Sequence, residues 1–251
     1  MRGVEMDLDL CWRAEMACRA AWPAQQESNI RGWTACRSGG SIRRVNSLNQ
    51  RPESQVIDDR LIDRVEAHYA PFEQPALVRV VSFAGASTEA LSRRGYRQEG
   101  ATTTLHAEID STGRASGQGV TIWPDPNEDW LAARNRIAAS DPALFRAMLD
   151  LIEGPRLFSG AQVDGTIQSV AYGVVVDGLL VIEAVATDEA HRGRGLARKS
   201  VQLLLNRAAS EGVNEAVLQV VADNQPARAL YRSLGFSREV FDYFYMRQPQ
   251  P

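Results

Sequence analysis

A segment rich in glycine and arginine separates a predicted strand from a long predicted helix in the second half of the chain. It reads Arg192-Gly193-Arg194-Gly195-Leu196-Ala197. A helix N-terminus has unpaired N–H groups and a partial positive charge, glycines allow close backbone approach, and arginines add fork-shaped donors. This combination is typical of a diphosphate site. A solvated basic loop that caps a helix has the same composition, so the segment alone leaves both interpretations open.

A second segment, from Asn224 to Phe236, predicts a short helix with a phenol on one face. Pro226 fits the first helical turn, where its missing N–H costs nothing, and Gly235 fits a helix C-terminus. Asn224, Ala227 and Tyr231 are spaced by three and four, so they share one helical face or its edge. Tyr231 is therefore either a functional phenol or an amphipathic side chain that seals the helix onto a sheet.

The elements that must position these segments follow from hydrophobic periodicity and turn residues. In the second half, Val163-Asp164-Gly165 and Asp177-Gly178 predict tight turns between strands. The predicted elements are a strand at 120–123, helices near 127–138 and 141–153, strands near 155–162, 166–176 and 179–187, a helix over 195–212, a strand over 216–221, a helix over 226–234 and terminal strands near 237–247.

The first half predicts a similar mixture. Ser38-Gly39-Gly40-Ser41 suggests a hairpin turn, and Arg43 and Arg44 follow it. These two arginines suit an acidic ligand, although a charged hairpin face is the more usual explanation. The predicted elements are a helix over 9–21, strands over 32–37 and 42–47, a helix over 53–69, a strand over 76–83, a helix over 87–94 and a strand over 100–109.

The two halves show an internal repeat. A shift of 140 residues places Val78–Val81 on Leu218–Val221 and Gly95-Tyr96 on Gly235-Phe236. The first copy is degenerate, because Leu91 stands where the second half has Tyr231 and residues 46–52 contain no glycine. We therefore expect one active site per chain.

The paired segments resemble the GNAT superfamily of acetyl-CoA-dependent N-acyltransferases. The coenzyme motif of that family, Gln/Arg-x-x-Gly-x-Gly/Ala, is matched at Arg192, Gly195 and Ala197. The family's second motif, Asn-x-x-Ala-x-x-Leu-Tyr-x-x-x-Gly-Phe, is matched throughout residues 224–236. The resemblance covers residues 120–247 and implies an α/β (α+β) fold of two tandem GNAT-like domains, each a mixed, mostly antiparallel sheet flanked by helices. We expect a degenerate domain over 1–110, a linker over 111–119 and a catalytic domain over 120–251.

The resemblance also implies site residues. Acetyl-CoA is the expected co-substrate, and Tyr231 matches the general acid of the family. Family members usually have Val-x-Pro where this chain has Thr187-Asp188-Glu189, a minor departure because the implied contacts are backbone ones. The residues implied to bind the coenzyme are Val185, Thr187, Arg192, Gly193, Arg194, Gly195, Leu196, Ala197 and Asn224.

The general base is predicted from strand geometry. Glu183 lies four residues before Thr187, and the period of two places both on one face of the strand. A carboxylate there suits removal of a proton from the acceptor amine. A polar strand residue without a catalytic role remains the alternative.

Composition narrows the class of protein. The formal net charge of −3 calls for neither nucleic acid nor an anionic membrane as partner, and no run of eighteen apolar residues exists. The first residues do not predict a secretory signal. Three cysteines without a CxxC spacing and three scattered histidines predict no disulfide framework and no metal site, and a cytoplasmic location.

The predicted function is N-acetyl transfer by direct attack of an amine on acetyl-CoA. The acceptor is expected to be a small-molecule or peptide amine, and the protein a monomer or homodimer. The alternative is a non-catalytic acyl-CoA-binding sensor or structural module. The sequence does not identify the acceptor, because fold-level analogy does not transfer substrates.

Overall fold

A computed structural model describes residues 6–109, 118–138 and 140–249. Seven helices and eleven strands are assigned in this described part. The helices are α1 (Leu8–Ala20), α2 (Asp59–Tyr69), α3 (Glu89–Arg93), α4 (Glu128–Ile137), α5 (Pro142–Leu149), α6 (Leu196–Ser210) and α7 (Gln225–Ser233). The strands are β1 (Gln26–Ile30), β2 (Trp33–Arg37), β3 (Leu48–Asn49), β4 (Leu77–Val81), β5 (Arg97–Glu108), β6 (Val120–Trp123), β7 (Arg156–Val163), β8 (Thr166–Val176), β9 (Leu179–Thr187), β10 (Glu215–Val221) and β11 (Arg238–Arg247).

All of these strands join one sheet of order β1-β2-β3-β4-β11-β5-β10-β9-β8-β7-β6. The β3–β4 and β9–β10 pairs are parallel, and the other pairs are antiparallel. The mixed, mostly antiparallel sheet flanked by helices agrees with the predicted fold class.

The order of elements repeats at the predicted offset, but the two halves exchange strands. The run α2-β4-α3-β5 recurs as α6-β10-α7-β11. Strand β5 of the first half lies between β11 and β10, and β11 of the second half lies between β4 and β5. The division into domains 1–110 and 120–251 therefore stays a prediction about the sequence, because the sheet itself is continuous across it. Residues 110–117, most of the predicted linker, lie outside the described part.

Two apolar layers cover the sheet. Helices α1, α4 and α5 pack on one face, which we call the α1 face, around Trp130, Phe158 and Tyr172. On the opposite face, α6 and α7 pack over β5, β10 and β9, while α2 and α3 pack over β4 and β11. Alternate residues of each central strand thus face different layers.

The first half departs from its predicted strands in two places. The hairpin turn lies at Arg31-Gly32, where both residues have positive φ (52° and 84°), instead of at residues 38–41. Residues 43–46 form a 3-10 turn, so the predicted strand over 42–47 is wrong. Helix α2 begins at Asp59 because the Asp58 side chain accepts a hydrogen bond from the Leu61 N–H and caps the helix there.

Candidate active site

The loop before α6 has the geometry of an anion site. Gly193 and Gly195 both have φ of 74°, a left-handed conformation that favours glycine. No side chain caps α6. The N–H groups of residues 193–198 make no hydrogen bond within the described part of the chain. These free donors at a helix N-terminus are what a bound phosphate requires.

A cleft of about 890 Å³ opens at this loop, and we call it the Gly195 cleft. Eight of the nine residues predicted to bind the coenzyme line it, together with Tyr231. Arg194 is exposed and is not among the lining residues. The cleft is also lined by residues that were not predicted to bind the coenzyme: Ile137, Ala186, His191, Arg198, Pro226, Ala227, Ala229 and Leu230.

Strand β9 separates from β10 beside this cleft. Their parallel pairing runs from Leu179↔Glu215 to Ile182↔Leu218 and goes no further. Asp188 N–H donates to Gln168 O on β8, so the adjacent Thr187 directs its backbone groups to the open side by strand alternation. Free backbone groups at Thr187 suit the strand-like contact implied for a coenzyme.

A bulge interrupts β9 at the point of separation. Between the pairs Glu183↔Tyr172 and Ala186↔Val170, two β9 residues stand opposite one β8 residue. Ala184, inside the bulge, has φ of 50°, which a residue with a Cβ rarely adopts. Such strain is concentrated at functional sites, where the surrounding structure holds it in place.

The bulge corrects the predicted side-chain directions on β9. Glu183 pairs with Tyr172, whose ring packs in the α1-face layer. Thr187 pairs with Ser169, which lies on the other face, and their hydroxyls are 2.9 Å apart. Glu183 and Thr187 therefore lie on opposite faces, because the extra residue between them breaks the period of two.

Helix α7 places Tyr231 at the inner end of the Gly195 cleft. Asn224 caps α7, since its side chain accepts from the Ala227 N–H at 3.2 Å. Tyr231 is 8% exposed and its ring packs against Phe236, with centroids 6.1 Å apart. Its hydroxyl makes no hydrogen bond within the described residues. Burial, followed by the charge of Glu183, raises the pKa of Tyr231 above its ordinary value.

Glu183 faces a second cleft of about 300 Å³ on the α1 face, which we call the Glu183 cleft. Both halves of the chain line it. The first half contributes Trp22, Ser41, Ile42, Arg43, Arg44 and Thr102, and the second half contributes Glu183, Gln219, Val221, Tyr243 and Tyr245.

Glu183 forms an ion pair across the two halves. Arg44 Nη1 donates to Glu183 Oε1 at 2.6 Å, and the side chains are 15% and 10% exposed. Burial, the largest single effect, opposes the charge of Arg44, but Glu183 together with Tyr243, Cys18 and Tyr245 outweighs it, and the pKa of Arg44 lies well above its ordinary value. Glu183 Oε2 has no hydrogen-bond partner in the described part of the chain, so one carboxylate oxygen remains available to a ligand.

No cluster of three or more metal-ligating side chains occurs within the described residues. No helix among them is long and apolar enough to cross a membrane.

The family model that matches this chain is described as the Acetyltransferase (GNAT) family, and it covers residues 120–236. The match spans β6 through α7, and so includes the bulge, the glycine loop and Tyr231. Residues 120–236 therefore match a GNAT acetyltransferase domain.

Among individual relatives, a mycothiol acetyltransferase from Kocuria rhizophila is 44% identical over 64 residues. That match covers 26% of this chain and 21% of the relative, so the chain spans about a fifth of its length. The uncharacterized N-acetyltransferase YobR from Bacillus subtilis is 22% identical over 90% of this chain and 94% of its own.

Solved structures share the fold. A GCN5-related N-acetyltransferase from Kribbella flavida has a TM-score of 0.64 at 16% identity, over 95% of this chain and 96% of that one. A tandem GNAT protein from the clavulanic acid biosynthesis pathway has a TM-score of 0.60 at 13% identity, over 76% and 70%. At these identities the likeness concerns the fold alone.

Proposed function

We propose that the protein is an acetyl-CoA-dependent N-acetyltransferase with one active site, located where the two clefts approach each other at the β9–β10 separation. The observation that carries the proposal is the alignment of three features along that separation: free N–H donors before α6, the strained bulge at Ala184 and the unpaired hydroxyl of Tyr231. The coenzyme is assigned to the Gly195 cleft and the acceptor to the Glu183 cleft.

The Gly195 cleft fits a pyrophosphate-bearing thioester. The N–H groups of residues 193–198 would hold the pyrophosphate, with Arg192 and Arg198 supplying positive charge. The open backbone groups of Thr187 would hold the extended arm of the coenzyme. N–H groups at the bulge would stabilise the oxyanion that forms during acyl transfer.

Two side chains manage the protons. The acceptor nitrogen bonds to the thioester carbon as the carbon–sulfur bond breaks. Glu183 Oε2, directly or through water, takes the proton that the nitrogen loses, and Tyr231 gives its phenolic proton to the sulfur. A phenol is protonated at neutral pH, and the raised pKa of Tyr231 keeps it so, which leaves the proton in place for transfer to the sulfur. Arg44 holds the Glu183 carboxylate in position through the other oxygen.

The decisive experiment measures CoA thiol release from acetyl-CoA with a panel of amines, alongside calorimetric binding of CoA. We expect turnover with at least one class of amine and a large loss of turnover in Tyr231→Phe with CoA affinity retained. CoA binding without turnover on any amine would identify a non-catalytic acyl-CoA-binding module instead.

A cytoplasmic location is also proposed. Cys11, Cys18 and Cys36 are free and buried, which suits a reducing compartment.

A further inference from the structure

The charges of the Glu183 cleft restrict the kind of amine that fits it. Glu183 is its single carboxylate among the described lining residues, and it is already paired with Arg44. Arg44 Nη1 also donates to the carbonyl oxygen of Cys18 at 3.1 Å. Arg43, the second arginine of the cleft, is the other charged group among its described lining residues.

The positive charge of Arg43 is only partly neutralised by its neighbours. Its nearest carboxylate is Glu99, 3.5 Å away. Arg247 binds both oxygens of that same carboxylate at 2.9 and 2.7 Å. The cluster of Arg43, Arg247 and Glu99 therefore has one more positive than negative charge.

The Arg43 guanidinium is held in a defined position. It stacks over the Tyr245 ring, 5.3 Å from the ring centre. It also lies against the α-carbon of Gly100, where a Cβ would be 2.6 Å from Nη1 and 2.7 Å from Cζ. Gly100 has φ of 64°, so glycine is favoured there for the backbone as well as for the space. The side chain of Arg43 remains 39% exposed.

The size and walls of the cleft point to a small acceptor. A volume of about 300 Å³ is at the lower end of small-molecule pockets. Trp22, Tyr243 and Tyr245 supply aromatic surface to it. A polyamine or aminoglycoside would bring several ammonium groups to a cleft with excess positive charge, which costs free energy.

We propose that the acceptor is a small amine that also carries a carboxylate, such as an amino acid, and that Arg43 binds the carboxylate. This inference rests on the proposed function and adds the class of acceptor. A single carboxylate matches the single excess charge of the Arg43 cluster better than a phosphate dianion does. The amine of such an acceptor is then directed toward the Glu183 carboxylate.

The test compares matched acceptors with wild-type protein and with Arg43→Ala. The acceptors are phenylalanine against phenylalanine amide, β-alanine against O-phosphoethanolamine, and spermidine as a polycation. Both kcat/KM and calorimetric binding to CoA-saturated protein are measured. Arg37→Ala is the control, because Arg37 also stacks on an aromatic ring of the first half, Phe72, but lies outside the cleft.

With wild-type protein we expect the carboxylate-bearing amine to exceed its amide by at least tenfold. Arg43→Ala should lower kcat/KM for the carboxylate amine by about 10- to 100-fold, as for loss of a charged hydrogen bond, and leave the amide unchanged. Arg37→Ala should change neither value.

Several results would overturn the inference. Equal use of amide and acid, or a preference for spermidine, would refute the acceptor class while leaving acetyl transfer intact. A preference for O-phosphoethanolamine over β-alanine would assign the subsite to phosphate. If no carboxylate amine binds or reacts, or if Arg43→Ala lowers only the melting temperature, Arg43 has a structural role alone. Absence of CoA binding would instead refute the proposed function.

Discussion

Replacing Tyr231 by phenylalanine separates the proposed catalytic role of this residue from its packing role. Phenylalanine retains the ring that packs in the α6–α7 layer and against Phe236. The lost hydroxyl makes no hydrogen bond within the described residues, so its removal leaves no partner unpaired. We expect the free energy of unfolding to change by less than about 1 kcal/mol.

The expected kinetic effect is much larger. Removal of a positioned general acid lowers the rate by about 10²–10⁴-fold, equivalent to about 3–5 kcal/mol of transition-state stabilisation. The raised pKa of Tyr231 also fixes the sign of the pH dependence. The protonated form of Tyr231 persists above the ordinary tyrosine pKa of about 10. Loss of this proton should therefore cause no fall in activity up to a pH of about 10.

The assay is CoA thiol release under saturating acetyl-CoA, with thermal unfolding in parallel. Tyr69→Phe is a matched control: this tyrosine is also buried, but its hydroxyl donates to Cys36 O at 2.9 Å, and neither residue lines either cleft. We expect the control to lose stability and keep its kcat, the reverse of Tyr231→Phe. A Tyr231→Phe variant with kcat within threefold of wild type would refute the acid role.

Other features of the structure give further expected outcomes. Gly195→Leu and Gly178→Leu both place a side chain at a left-handed position with open space around it, so each should cost about 1–2 kcal/mol of stability. Calorimetry should show loss of CoA affinity in Gly195→Leu alone, and equal affinities of the two variants would contradict the phosphate site. Glu15 and Arg79 form an ion pair with side chains 0% and 1% exposed, so Glu15→Ala should lower the free energy of unfolding in urea by about 3–5 kcal/mol. The double variant Glu15→Leu with Arg79→Met should recover most of that loss, and a loss below about 1 kcal/mol in Glu15→Ala would argue against burial of the pair. The three cysteines are buried, and burial raises the pKa of each, so a thiol reagent should detect almost no thiol in native protein and three per chain in denaturant. The background of the CoA assay should therefore be low, and rapid labelling of the native protein would contradict this expectation.

Local sequence signals predicted the parts of the site that depend on local chemistry. The turns Asp164-Gly165 and Asp177-Gly178 have positive φ at both residues and join antiparallel strands as expected. The start of α6 after Gly195 and the capped start of α7 at Asn224 also follow directly from residue types. These features need only the conformational preferences of a few neighbouring residues.

The rest of the site depends on contacts that no local pattern encodes. Ala184 has a left-handed conformation although alanine gives no signal for one, because the bulge is imposed by pairing with β8. Arg44 and Glu183 are 139 residues apart in sequence. The glycine pair at 39–40 was the stronger local turn signal, yet the hairpin closes at Arg31-Gly32.

Strand exchange explains why the first half matters to a site whose motifs all lie in the second half. Seven residue pairs, from Glu215↔Glu108 to Val221↔Thr102, join β10 to β5. Without β5, the edge of β10 that faces away from β9 would have no paired strand. Strand β10 is also the strand from which β9 separates. The first half also supplies Arg44, which fixes Glu183, and Arg43. The degenerate first copy, which has neither the glycine loop nor the phenol, thus completes the sheet and one wall of the Glu183 cleft, so both halves of the described chain contribute to the proposed site.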